Sequence, residues 1–171
     1  MRHLRLFLLI LMLATGCLAE HKIEHGGRNI LTFEAPQVDY KATKTGKFTR
    51  TFFSRKVGDG NLKITVKTKG WMDELKAEKR YQDDRHNKRN DQYCRLGDAI
   101  EIPGALRTLN YTMSSPYHGR VLVVYTKDFR CELMVTGTKD AEEQIDPTFE
   151  QMAQSVKIGS RSKIGELKVG K

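Results

Sequence analysis

Residues Leu62-Lys63-Ile64-Thr65-Val66-Lys67-Thr68 alternate apolar and polar without interruption. Successive strand side chains point to opposite faces, so this period of two specifies a strand with one buried and one solvated side. Gly58-Asp59-Gly60-Asn61 stands just before it as a turn, and Phe48 to Val57, rich in Thr and Phe, precedes that. Together they read as a β-hairpin. The pattern returns at Phe129, Cys131, Leu133 and Val135, which alternate with Arg130, Glu132, Met134 and Thr136. Between the two lie Leu106 to Met113, with Leu109, Tyr111 and Met113 on one face, and Val121 to Tyr125, apolar on both faces as in a central strand. These last three segments form an expected antiparallel meander. Asn29 to Phe33, stopped near Pro36, is a candidate first strand, and Ala99 to Ile102 a short one before Pro103-Gly104.

Two helices are expected. Met72 onward is charged and rich in helix formers, with Trp71, Met72, Leu75 and Tyr81 as a thin apolar stripe; it predicts a helix to about residue 85 and a loop to Cys94. Asp146-Pro147 supplies an N-cap and a first-turn proline. Phe149, Met152, Ala153 and Val156 then follow at i, i+3, i+4 and i+7, one helical face that should lie across the sheet. Gly159 reads as its C-terminal stop. The fold class is therefore α+β, a mostly antiparallel β-sheet packed by helices.

The N-terminus constrains location. Met1-Arg2-His3-Leu4-Arg5 is followed by Leu6 to Leu13 without a charge, the n-region and h-region of a secretory signal. From Leu6 to Ala19 is about 14 residues, short of the roughly 20 a spanning helix needs. Leu13-Ala14-Thr15-Gly16-Cys17 resembles the bacterial lipobox, in which the cysteine thiol is acylated and becomes the mature N-terminus. The competing site lies after Ala19, with small residues at Cys17 and Ala19. Leu18 rather than Asp after the cysteine suggests the outer membrane. The expected organisation is a lipoprotein signal peptide over 1–16, a lipidated tether over 17–28 containing Gly26-Gly27, one domain over 29–159, and a basic tail over 160–171. A cysteine left over as an even pair, Cys94 with Cys131, predicts a disulfide in an oxidising compartment. Closing their 37-residue separation would stabilise the fold by roughly 3–4 kcal/mol on the chain-entropy model. Two buried free thiols are the other reading.

Residues 100–158 carry a further pattern: Pro103-Gly104, a strand with Tyr111, Ser114-Ser115-Pro116, Val121-Leu122-Val123-Val124-Tyr125, Cys131 to Gly137, then Phe149-Glu150-Gln151-Met152 leading to Ser155-Val156-Lys157-Ile158. This resembles the C-terminal half of PsbP-like and DcrB-like proteins. The resemblance covers about a third of the chain and its motifs are packing motifs. It implies a PsbP-like α/β sandwich closed by a short helix, and an exported accessory protein, often a lipoprotein, without enzymatic activity. Asn29 to Val66 supplies the strand-turn-strand unit with which that family begins, and 73–93 stands as an inserted or extended helix.

No zincin motif, phosphate loop, nucleophile elbow or dinucleotide fingerprint occurs in the sequence, so no enzyme activity and no cofactor are expected. Asp83, His86 and Asp91 have metal-donor chemistry, but a charged helix end and loop accounts for them, and the tether context accounts for His21 and His25. The charge map says more. The chain holds 30 Lys and Arg against 21 Asp and Glu, a formal net charge of +9, and loses two of the positive charges with Arg2 and Arg5. Lys41 to Gly70 has nine basic residues and one acid, Asp59. Lys47, Arg50, Arg55, Lys56, Lys63, Lys67 and Lys69 form the candidate basic patch. Its expected partners are anionic lipid, cell-wall polymer or an acidic envelope protein, and export excludes nucleic acid. A Lys-protected edge hairpin is the plainer account. The functional expectation is a non-catalytic, lipid-anchored accessory module on the periplasmic face of the outer membrane. The alternatives are a soluble secreted inhibitor or effector cut after Ala19, and a hydrolase whose site is assembled from scattered residues.

Overall fold

The computed structural model describes residues 18–25, 28–36, 39–45, 48–70, 73–114 and 118–159. The leader with Cys17, Lys47, Trp71, Met72, the Ser115–Tyr117 turn and the basic tail lie outside them. The strands are β1 (Leu18–His25), β2 (Arg28–Pro36), β3 (Asp39–Thr45), β4 (Phe48–Val57), β5 (Gly60–Gly70), β6 (Cys94–Leu96), β7 (Arg107–Met113), β8 (Gly119–Tyr125), β9 (Phe129–Gly137) and β10 (Lys157–Ile158). Helix α1 spans Glu74–Arg89; a 3-10 helix over Lys139–Gln144 leads into α2, Ile145–Ser155. The fold is α+β. Seven strands form one antiparallel sheet in the order β3-β4-β5-β9-β8-β7-β6, and β1-β2-β10 form a second.

The β4–β5 hairpin and the β7-β8-β9 meander stand where the alternation put them. Gly58 at the hairpin turn has φ +57°, left-handed backbone that glycine adopts without strain. Register fixes the two faces of the large sheet. Leu62, Ile64 and Val66 stand opposite Gly137, Val135 and Leu133, and Leu133 opposite Leu122. This face is apolar and carries the main core, shared with Ile23, Leu31, Phe33 and Ala35 of the small sheet. Helix α2 fills the space between the sheets, touching β2, β8 and β9. Its Phe149, Met152, Ala153 and Val156 are buried, as their spacing required.

Several expectations are corrected. The segment 17–28 is not a flexible tether in its described part: Leu18–His25 is a strand paired along its length with β2, and Ile23 is buried in the core. The alternation of Ile23 with charged neighbours was the overlooked signal. The folded domain thus begins at Leu18, not Asn29. Asp39–Thr45 is a further strand, where five polar or charged residues in seven mask the pattern. Ala99 to Ile102 is a loop, held by the Thr108 hydroxyl donating to the Ile100 carbonyl at 2.7 Å. Helix α1 continues to Arg89, with His86, Lys88 and Arg89 complementing the dipole in its last turn. Asp146 does not cap α2, which starts at Ile145; it lies in the first turn and accepts from Arg120 at 2.7 Å. Gly159 is no helix stop. The helix ends at Ser155, and Gly159 donates its N–H to the Ile30 carbonyl at 2.9 Å. A Cβ there would meet the Asn29 carbonyl oxygen at 2.3 Å.

The expected disulfide is also overturned. Cys94 and Cys131 are free thiols. They sit on β6 and β9, with β7 and β8 between them, and three strand spacings amount to about 14 Å. A disulfide needs Cα atoms within about 7 Å. They also belong to clusters on opposite faces of the sheet, so no small adjustment joins them.

Two measurements test this packing. Phe149 is fully buried with the Arg120 guanidinium 4.4 Å from its ring centre; Phe149→Ala should lower stability by roughly 3–5 kcal/mol in urea unfolding. In native protein without reductant, iodoacetamide should modify the half-buried Cys94 and leave Cys131 unmodified until denaturant is added; a peptide joining the two in non-reducing mass spectrometry would refute the free-thiol arrangement.

Candidate functional site

The second face of the large sheet is chemically different, because α1 covers only its β6–β8 side. Helix α1 has almost no apolar stripe: only Ala77 and Asp84 are buried, and Leu75 is 80% exposed. Polar contacts hold it instead. The Asp73 side chain accepts from the Lys76 N–H at 2.8 Å and caps the helix start. That hydrogen bond, followed by the Lys76 charge, keeps the Asp73 carboxyl below its usual range. Glu78 pairs with Arg107 at 3.2 Å, and the Lys88 ammonium lies 5.1 Å from the Tyr111 ring centre.

The strongest attachment is a chain of charges beginning at Asp84. Its Oδ2 accepts from the Tyr125 hydroxyl at 2.8 Å and from Arg130 Nε at 3.0 Å, while Oδ1 takes Arg80 at 3.0 Å. Arg130 continues to Glu132 at 3.1 Å, and Glu132 accepts from Lys67 Nζ at 2.9 Å. The three carboxylate and guanidinium side chains Asp84, Arg130 and Glu132 are 10–15% exposed. Burial alone would raise the Glu132 pKa; Arg130 and Lys67 more than offset it and hold the group below the usual carboxylate range. Burial would likewise lower Arg130, but Glu132 and Asp84 leave it raised. Burial drives the Tyr125 and Tyr111 hydroxyls upward, so both stay protonated donors. The aromatic rings of Tyr81 and Tyr125 meet edge-on at 5.5 Å beside this chain.

The candidate basic patch is divided. Lys63, Lys67 and Lys69 alternate along β5 on the second face, but Lys67 is committed to Glu132. Arg55 and Lys56 are exposed at the end of β4. Arg55 stands opposite Leu62 in register and so belongs to the other face from Lys63. The backbone of Arg50 pairs with that of Lys67, and Lys47 falls outside the described residues. Beside Lys63, a shallow concavity of ≈ 450 Å³ is lined by Thr65, Met113, Met134, Thr136 and His118. His118 is within 3.1 Å of Glu142.

The metal-donor residues serve local structure. Asp91 accepts the Tyr93 N–H at 3.0 Å and the Cys94 thiol at 3.3 Å, and these hydrogen bonds lower its pKa. Burial, then Asp91, raises that of Cys94. His86 Nε2 lies 3.1 Å from Asn90 Nδ2. Among the described residues, no three His, Cys, Asp or Glu side chains converge on a metal position, and no helix is long and apolar enough to cross a membrane.

Sequence reasoning missed the Asp84 chain. Asp84 sat in a run of eleven polar residues, and nothing local distinguished it from Asp83. The available signal was on β9: Arg130 and Glu132, two apart on one strand face, need a covering partner with charge.

The fold and this site define a small two-sheet α+β domain whose large sheet has one apolar face and a second face that joins an apolar cluster under α1 to a charged strip along β5 and β9. No protein-family model matches the chain, and no curated protein sequence does. Solved structures similar to it include LpqN of Mycobacterium tuberculosis, described as involved in cell envelope biogenesis, at 12% identity and TM-score 0.47, covering 84% of this chain and 92% of that one. They also include the solution structure of cyanobacterial PsbP (CyanoP) from Synechocystis sp. PCC 6803, at 13% identity and TM-score 0.47, covering 85% and 96%. At these values the roles of those two proteins stay with them.

The charge chain makes a pH prediction. Glu132 has a depressed folded-state pKa, so its stabilisation is fully present above the ordinary glutamate range and is lost as the pH falls through the lowered folded-state value. Glu132→Ala should cost roughly 3 kcal/mol at pH 7, since it leaves Lys67 without its partner and Arg130 with Asp84 alone. The gap between variant and parent in urea midpoint should close as the pH is taken toward 3; a gap that stays constant would remove the ion pair as its cause.

Proposed function

We propose that this protein is a non-catalytic accessory module of a bacterial envelope, held at the outer membrane's periplasmic face by acyl chains on Cys17. The observation that carries the reading is the junction at Cys17. A basic and then apolar leader ends in Leu13-Ala14-Thr15-Gly16-Cys17, and strand β1 begins at the next residue. The competing cut, after Ala19, falls inside that strand: Leu18 and Ala19 are paired with Pro36 and Ala35. Removing them would strip two ladder positions from a short edge strand, which argues against the secreted form. The carboxylates of the Asp84 chain are occupied by ion pairs from Arg80 to Lys67, which supports a binding rather than a hydrolytic role.

On this reading the contact surface is the uncovered part of the second sheet face, along β5 and β9. It presents Lys63 beside the Thr65, Met134 and Thr136 concavity, with Lys69 further along β5 opposite Arg130. Such a surface suits an acidic envelope protein or cell-wall polymer, with attraction that weakens as salt rises.

The test is Cys17→Ala in a bacterial host. The parent should incorporate labelled palmitate and sediment with membranes. The variant should lose both the label and the membrane fraction. An unlabelled parent recovered in the medium with Glu20 as its first residue would establish the soluble alternative instead.

A further inference from the structure

The absence of a spacer between Cys17 and β1 fixes more than attachment. Leu18 pairs with Pro36, and only two residues separate Pro36 from Asp39, which pairs with Ser54. Arg55, Lys56 and Val57 then lead straight to the Gly58-Asp59 turn. The start of β1 therefore lies at the end of the large sheet that carries this turn. Aromatic contacts agree: the His21 ring is 4.7 Å from that of Phe53, one residue before Ser54.

The opposite end of the small sheet lies at the opposite end of the large one. Gly159 bonds to Ile30 near the start of β2, and Ile158 packs within 3.6 Å of the position a Gly104 Cβ would take. Gly104, Ile158 and Gly159 share a concavity with Thr126, Lys127 and Asp128 of the β8–β9 turn. The two turns are separated by the length of β9, nine residues, or about 26 Å at the usual rise.

We infer that the domain stands end-on against the bilayer, with Leu18, Arg55, Lys56 and the Gly58-Asp59 turn in the headgroup layer and the Lys127-Asp128 turn pointing away. This rests on Cys17 being the acylated residue. With a one-bond connection, the first strand residue cannot leave the interface, whereas a twelve-residue flexible tether would let the domain drift by about 20 Å. The chemistry of that corner fits. Leu18 is a large apolar side chain 45% exposed beside the anchor. Arg55 and Lys56 are both exposed, and Arg55 is on the sheet face that β1 covers, which sets its charge next to the anchor. The acids at the same end are Asp59 in the turn itself, the cross-strand pair Glu20 and Glu34 two positions from Leu18, and Asp140, Glu142 and Glu143 on the 3-10 helix. That helix packs on β5 and β9, on the side of the core occupied by α2. Arg55 and Lys56 are the groups this corner offers to anionic headgroups, and the anchor rather than net charge sets the orientation.

The experiment uses the acylated protein in nanodiscs of phosphatidylcholine and phosphatidylglycerol doped with a gadolinium-headgroup lipid. Amide resonances of Arg55, Lys56, Gly58 and Asp59 should broaden several-fold more than those of Lys127 and Asp128. Inserting twenty Gly/Ser residues between Cys17 and Leu18 should erase the difference. Equal broadening at both ends of an acylated protein overturns the orientation and leaves the anchor standing. A difference that survives the insertion overturns the short connection as its cause. Intact-mass measurement showing no acyl chains removes the anchor, and the orientation with it.

Discussion

The large sheet is two locally folded halves joined along one seam, β5 against β9. The β3-β4-β5 half arrives by hairpins, and so does β7-β8-β9, but Leu62 to Gly70 must find Gly137 to Phe129 across more than fifty residues of chain. Everything else waits on that ladder. The apolar side of the seam, Ile64, Val66, Leu133 and Val135, is the floor on which α2 and the small sheet sit. Its other side places Lys67 opposite Glu132. A slip of one residue would drive Lys63 and Lys67 into the core and expose Ile64 and Val66. The buried pair therefore specifies register more than it adds stability, which is what an ion pair with its desolvation cost is suited to do.

The two helices are held in opposite ways. Helix α2 has an apolar stripe and is gripped from two sides, so ordinary burial suffices. Helix α1 has none, and its position depends on Asp84 reaching Tyr125 and Arg130. Because Arg130 also binds Glu132 and Glu132 binds Lys67, the attachment of α1 and the register of the seam are one network. Loss of one member removes a partner from the next and shifts the load to the pairs that remain, so effects within the chain will not add independently.

What was legible in the sequence followed from periodicity. Lys63 to Lys67 and Arg130 to Thr136 alternate cleanly, and each became the strand it promised. Phe149, Met152, Ala153 and Val156 repeat at helical spacing and became a buried face. What failed was of two kinds. Strands β1 and β3 alternate too, but His21, Lys22 and Glu24, or Lys41 and Lys44, crowd so much charge around few apolar positions that the segments look like linkers. Long-range partners were invisible altogether. Cys94 and Cys131 suggested each other by count, while strand order put two strands between them; Asp84 and Arg130 suggested nothing, and the fold brought them to 3.0 Å. Pattern in one dimension reports which face is buried, not which strand lies next to it. The candidate basic patch failed for the same reason: Arg55 and Lys63 are close in sequence, but a strand's two faces separate them.

That separation has a use. In the end-on orientation, the strand axes run away from the bilayer and both sheet faces stand upright beside it. Arg55 and Lys56, at the tip, are then the charges a headgroup layer meets. Lys63 and Lys69 point sideways from the second face, at increasing height along β5. On the proposed reading, the positive charge that looked like one surface would be divided between two tasks, contact with lipid at the tip and contact with a partner along the flank. A flank held at fixed height and angle presents its concavity to whatever neighbours it in the envelope without the entropic cost of ordering a loose tether first. On the proposed reading, direct attachment of β1 to an acylated Cys17 would serve recognition as well as retention.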